Sequence, residues 1–141
     1  MALRFENDPR FSFLHLGKTH IPGLPVIHHP VSATAAKPMA MRDALKRLEI
    51  DAAMIWSLCL ETFSLTAYEA AAAGAAVITG PDSGNIAAFT REGHGLVLPD
   101  ERSLIAMFES GEILTLARSL RQPPLYNMEF SNLTADLETV S

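Results

Sequence analysis

Two carboxylates, Glu61 and Glu69, bracket the seven-residue segment Thr62-Phe63-Ser64-Leu65-Thr66-Ala67-Tyr68. The run from Leu65 to Ala73 is strongly helix-forming and stops at Gly74, which suits the left-handed position that closes a helix. Ser64 is the expected N-cap. Glu61 then lies in a loop before the helix and Glu69 one turn inside it, so both approach a single ligand lying across the helix start. The unpaired N–H groups of the first turn point into the same space, and the helix dipole favours an anion there. That combination suits a diphosphate with hydroxyl-bearing groups at both ends.

The surrounding pattern supplies the elements that would hold these groups. Ala52 to Trp56 and Ala75 to Thr79 are continuous apolar runs of strand length, as expected of parallel strands covered by helices on both faces. Shorter strands are expected at Phe11 to Leu16, Val26 to His28 and Gly95 to Leu98. Helical spacing appears from Met39 to Leu48, from Asn85 to Thr90, and from Glu101 to Leu120 with a break at Gly111. Past Pro123-Pro124 the pattern weakens. Strand and helix alternate, which predicts one parallel sheet in a Rossmann-like three-layer αβα domain over residues 1–141. Ligands of such sheets bind beyond the carboxyl ends of the strands, here the loops after Trp56 and Thr79.

The stretch from Glu61 to Ile78 resembles the Glu-x7-Glu signature of retaining, group 1 glycosyltransferases of the GT-B fold. It has the aromatic Phe63 after the first Glu, the small-residue helix ending at Gly74 and the apolar strand that follows. The order of elements agrees over roughly residues 10 to 110, so the chain looks like the nucleotide-sugar-binding C-terminal lobe, without the N-terminal acceptor-binding lobe. The resemblance implies that Glu61 is the catalytic candidate, contacting the donor sugar, and that Glu69 binds the ribose hydroxyls. It also implies that the amides of Leu65 and Thr66 meet the pyrophosphate, with Phe63 and Ser64 completing the donor-binding set. The substrate would be a nucleotide-sugar, with no cofactor and no metal, and the acceptor would be attacked with retention of configuration.

Two departures from the family stand out. Ser64 occupies a position that is usually Gly. The Arg and Lys of the family's first strand and helix, which neutralise the leaving diphosphate, have no match here, and Lys18 is the nearest basic residue. Because the strand ending at Leu16 aligns with the family's second strand, the domain is expected to begin upstream. The alternatives are a non-catalytic Rossmann-like binding or interaction domain, and another nucleotide-sugar enzyme such as an epimerase.

Composition and the remaining motifs narrow the classes further. A formal charge of -5, with Lys and Arg scattered, argues against nucleic-acid binding. A lone Cys59 precludes an internal disulfide and a multi-thiolate zinc site. The first residues carry charge where a signal peptide needs an apolar run, and no stretch spans a bilayer, so a cytoplasmic protein is expected, peripheral to the membrane at most. Gly17-Lys18-Thr19 has the ending of a P-loop but lacks its first Gly, where Ser12 stands, and Ile21-Pro22-Gly23 forbids the helix that must follow. His28 and His29 point to opposite faces of a strand and share no ligand geometry. Trp56 reads as core, Phe63 as a flank of the site, and His94 as a loop residue.

Overall fold

The computed structural model describes residues 1–121 and 123, so the weakly patterned tail lies outside the described residues. The expected alternation is present. The elements are β1 (Leu14–Leu16), β2 (Ile27–His29), α1 (Ala40–Arg47), β3 (Ala52–Met54), α2 (Leu65–Ala72), β4 (Ala76–Thr79), α3 (Asn85–Phe89), β5 (Gly95–Val97), α4 (Glu101–Ser110) and α5 (Glu112–Ser119). A single π turn, Thr90–His94, joins α3 to β5. Gly111 takes the left-handed conformation between α4 and α5, at the expected break. No helix among the described residues is long and apolar enough to cross a membrane.

The fold is α/β, with every strand pair parallel and a Rossmann-like αβα arrangement. β4 lies between β3 and β5, with Ala53 opposite Val77 and Ile78 opposite Leu96. β3 and β4 are therefore neighbours, with α2 crossing between them. In place of the single expected sheet the described residues form two, β1–β2 and β3–β4–β5. The strands are also shorter than their apolar runs. Phe11 and Phe13 turn their rings onto Phe108 of α4, with centroids 4.9 and 5.8 Å apart, and lie ahead of the ladder.

Burial explains why β4 reads as an unbroken apolar run, since all four of its residues are buried. On one face, Val77 packs in a cluster with Leu45 of α1, Ala67 and Ala70 of α2, and Ile86 and Phe89 of α3. On the other, Ile78 and Leu98 pack against Leu104 and Met107 of α4 and Ile113 of α5. The alanines of α2 matter here because a side chain of one carbon lets the helix axis approach the sheet. Ala67 and Ala70 are fully buried.

Both α1 and α2 end in the same hydrogen-bonded reversal. In α2 the amides of Gly74 and Ala75 donate to the carbonyls of Ala71 and Ala70, with Gly74 at φ +87°. In α1 the amides of Glu49 and Ile50 donate to Lys46 and Leu45 in the same pattern, and Ile50 packs on the cluster that holds Leu45. The left-handed position there is occupied by exposed Glu49 at φ +51°, a conformation that costs a side-chain-bearing residue about 1–2 kcal/mol. Glu49→Gly should accordingly stabilise the fold by about 1 kcal/mol once glycine's extra chain entropy is deducted. The expected observation is a higher urea midpoint with an unchanged slope, and an unchanged or lower midpoint would count against strain at this residue.

Candidate functional site

The loops after β3 and β4 leave adjacent parallel strands at their carboxyl ends and are tied together from below upward. Thr79, fully buried, lies with its hydroxyl 2.8 Å from the Ile55 carbonyl and 2.8 Å from Ser83 Oγ. A hydroxyl carries one proton, so Thr79 donates to Ile55 and receives from Ser83. Above this pair the Trp56 ring closes on Gly80, where a Cβ would stand 3.1 Å from the indole. Trp56 is half-buried and packs with the Ile78 cluster, as its reading as core anticipated.

Glu61 is pinned by its backbone. The Asn85 amide, first of α3, donates to the Glu61 carbonyl at 2.8 Å. Gly84 sits at φ +60° directly beneath, where any Cβ would fall 2.8 Å from the Glu61 amide nitrogen. The backbone of Glu61 is thereby fixed while its carboxylate stays half-exposed, with Ser57 Oγ 3.4 Å from Oε1. Ser57 also accepts from the Cys59 amide at 3.3 Å and lies 2.9 Å from the Cys59 carbonyl, which rounds off the loop.

Ser64 holds the N-cap position with extended backbone, as expected, but its hydroxyl makes no capping bond. Its carbonyl takes the amides of Ala67 and Tyr68 at 3.1 and 3.4 Å. The amides of Leu65 and Thr66 have no acceptor among the described residues, and both residues are exposed at the helix start. An anion placed there would meet two open donors and the positive end of α2.

Glu69 lies on the inner side of α2, only 8 % exposed. Burial raises its pKa above the usual carboxylate range, opposed by the backbone amide and charge of Arg42 in the first turn of α1 and reinforced by Asp43. Phe63 is 53 % exposed and stacks on Tyr68 at 4.9 Å; Tyr68 continues to Phe89 at 4.1 Å and Phe89 to His94 at 4.2 Å. His94 is therefore part of an aromatic column as well as of the π turn. Lys18 is exposed after β1, and Cys59 is exposed with Ser57 Oγ 3.5 Å from its sulfur.

The candidate residues thus gather around one helix start. Glu61, Phe63, Ser64, Leu65 and Thr66 form its open side, and Glu69, one turn further on, turns inward to Arg42 and Asp43 of α1. Chemically this is a pair of carboxylates near two amides that have no acceptor among the described residues. Thr79, Ser83, Gly84 and Asn85 escaped the sequence reading because their contribution is the tie to another loop. The turn chemistry of Gly80 to Gly84 signalled a loop without signalling what it grips.

Two measurements probe this construction. Gly84→Ala puts a methyl group against the Glu61 backbone in a left-handed conformation, and should cost more than about 1 kcal/mol while shifting the amide resonances of residues 57–63. Resonances confined to 82–86 would show that the two loops are not coupled. Because the folded-state pKa of Glu69 is raised, the proton it retains contributes stability that is present at low pH and lost as pH rises through that pKa. Glu69→Gln should then melt higher than wild type at pH 7, with the difference shrinking toward pH 4. A Tm difference independent of pH would remove the burial argument. No family model matches this chain, and no curated protein and no solved structure matches it either.

Proposed function

We propose that this chain is the donor-binding part of a glycosyltransferase that moves a sugar from a nucleotide-sugar to an acceptor, with retention of configuration. The observation that carries the reading is the juxtaposition at the start of α2. A backbone-anchored, half-exposed carboxylate at Glu61 stands before the open amides of Leu65 and Thr66, with the buried carboxylate of Glu69 behind them. A pyrophosphate takes the two amides. The sugar then extends toward Glu61 and the nucleoside toward Glu69, whose facing donor among the described residues is the Arg42 amide. Two ribose hydroxyls supply further donors to that carboxylate and offset the desolvation that holds its pKa up.

In this reading the protein positions the donor and stabilises charge, and no protein nucleophile is required. Glu61 faces the anomeric side, where positive charge develops as the glycosidic bond breaks. Its contribution therefore grows toward the transition state, whereas that of Glu69 is equal in ground and transition states. The diphosphate leaves from a helix start to which no Lys or Arg side chain among the described residues is bonded. Charge neutralisation would have to come from the Arg and Lys that the family carries on the first strand and helix of this lobe.

A second reading is supported by Leu58 and Leu60, 96 % and 77 % exposed beside Phe63 and Leu65. Such an apolar rim suits an interaction domain that binds no nucleotide.

Titration calorimetry of the chain with uridine, guanosine and adenosine diphosphates separates the two. The glycosyltransferase reading expects one of them to bind and Glu69→Ala to weaken it by roughly ten- to a hundredfold, the equivalent of a hydrogen bond to a charged group. In an enzyme joining this domain to its acceptor-binding lobe, Glu61→Ala should lower kcat by a similar factor with little change in nucleotide affinity. Absence of binding by all three at millimolar concentration favours the interaction domain.

A further inference from the structure

The pairing of β1 with β2 sets two histidines side by side. The parallel register places His15 opposite His28, and their ring centroids lie 5.6 Å apart. A third ring comes from the connection between the two strands, where His20 stands 5.3 Å from His28. His29, next in sequence to His28, belongs to the other face of the strand. The neighbours of His28 are thus found across the ladder and in the connection, not beside it in the chain.

Hydrogen bonding shows which ring nitrogens are free. His28 Nε2 lies 3.1 Å from the carbonyl of Gly17, and a carbonyl only accepts, so Nε2 donates and Nδ1 of the neutral ring keeps the lone pair. A metal-ligating imidazole has this arrangement, its second nitrogen held by a backbone carbonyl or a carboxylate. In His15, Nε2 lies over Gly17, 3.5 Å from where a Cβ would stand, while Nδ1 is buried with no hydrogen-bond partner. Among the described residues no other buried side-chain nitrogen or oxygen is left in that state. A buried polar atom without a partner destabilises the fold, and an occupant that bonds it removes the penalty.

The chemistry of the occupant follows from the donors. From Pro9 to Arg42 the sequence has no Asp and no Glu, so within this segment the ligands on offer are neutral imidazoles. Imidazole suits zinc and the neighbouring late transition metals, whereas magnesium and calcium require oxygen ligands. Two imidazoles on one tetrahedral Zn2+, with Zn–N about 2.0–2.1 Å, hold their ring centres roughly 5 Å apart, close to both separations seen here.

We propose that this chain binds one Zn2+ ion through Nδ1 of His15 and Nδ1 of His28, with His20 as third ligand and water in the fourth position. Among the described residues no three His, Cys, Asp or Glu side chains already converge on one point, so the site closes by rotation of His20. That movement is open to it, since residues 18–24 are all exposed and the connection from β1 to β2 contains no helix. Parallel strands are usually joined by a crossover helix that packs on the sheet. The ion supplies the anchorage that such a helix gives elsewhere, tying the connection to the half-sheet beneath it. This inference is independent of what the α2 start binds.

Zinc titration of the chain, free of any polyhistidine tag, tests the site by calorimetry and by the imidazole nitrogen resonances. The expected result is one Zn2+ per chain at neutral pH, with the Nδ1 resonances of His15 and His28 shifted and those of His29 and His94 unmoved. Binding should be lost on acidification, because protons compete for the same nitrogens. His15→Ala, His28→Ala and His20→Ala should each weaken binding by at least the roughly 10- to 100-fold that loss of an outer-shell partner costs, and His29→Ala should not. His20 is exposed, so His20→Ala keeps the test decisive even where a strand variant fails to fold, and the resonances of the unaltered chain need no variant at all. No heat and no imidazole shift at a tenfold excess of Zn2+ overturns the proposal. So does binding that His20→Ala leaves unchanged, or that His29→Ala weakens as much as His28→Ala does, either of which indicates adventitious surface binding only.

Discussion

The buried hydroxyl of Thr79 is the point on which the candidate site rests. It ends β4, the strand with the deepest burial, and bonds sideways to the carbonyl that ends the β3 ladder and upward to Ser83 in the following loop. A fully buried polar group must find partners inside the protein. Here the partners are the two segments whose relative placement sets Glu61. With Thr79 fixed, Gly84 comes under Glu61, Asn85 donates to its carbonyl, and α2 starts four residues after Glu61. The chain spends no long side chain on this scaffold. It is built from a threonine, a serine, a glycine and one main-chain amide, which is why the loop can be tight enough to leave the carboxylate as the group that projects.

Much of this was legible in the sequence because it depends on local rules. The unbroken apolar run of β4, the alanine helix closed by Gly74 and the left-handed Gly111 each appear where periodicity and glycine placement put them. What escaped notice depends on contacts between segments far apart in the chain. The aromatic rings of Phe11 and Phe13 look like strand residues until Phe108 offers them a packing partner. Glu49 gives no sign of a left-handed backbone, because the reversal after α1 is imposed by Ile50 reaching back to Leu45. Ser64 was placed correctly as a cap position, yet its hydroxyl is idle, since capping propensity describes an average and not a rotamer.

Glu69 shows a tension within the site. It stands on α2 eight residues after Glu61, a position that turns it toward α1 and into the protein. A carboxylate there is held at a cost, and the opposing influence is a main-chain amide at the start of α1. Structural stability alone would favour an amide or apolar side chain at this residue. Retaining an acid where it weakens the fold is the kind of local inconsistency that functional sites carry.

Trp56 lends the protein a property separate from its architecture. It is the single tryptophan in the sequence, and its indole lies against Gly80, between the segment that leads to Glu61 and the turn that leads to Gly84. Indole emission responds to the polarity and motion of its immediate surroundings. Any rearrangement of these two loops, whether caused by a small molecule, by temperature or by a docked polypeptide, changes the contact between the ring and Gly80. The protein therefore carries an intrinsic optical reporter at the base of its candidate site, readable in dilute solution without a label and without a second tryptophan to obscure the signal.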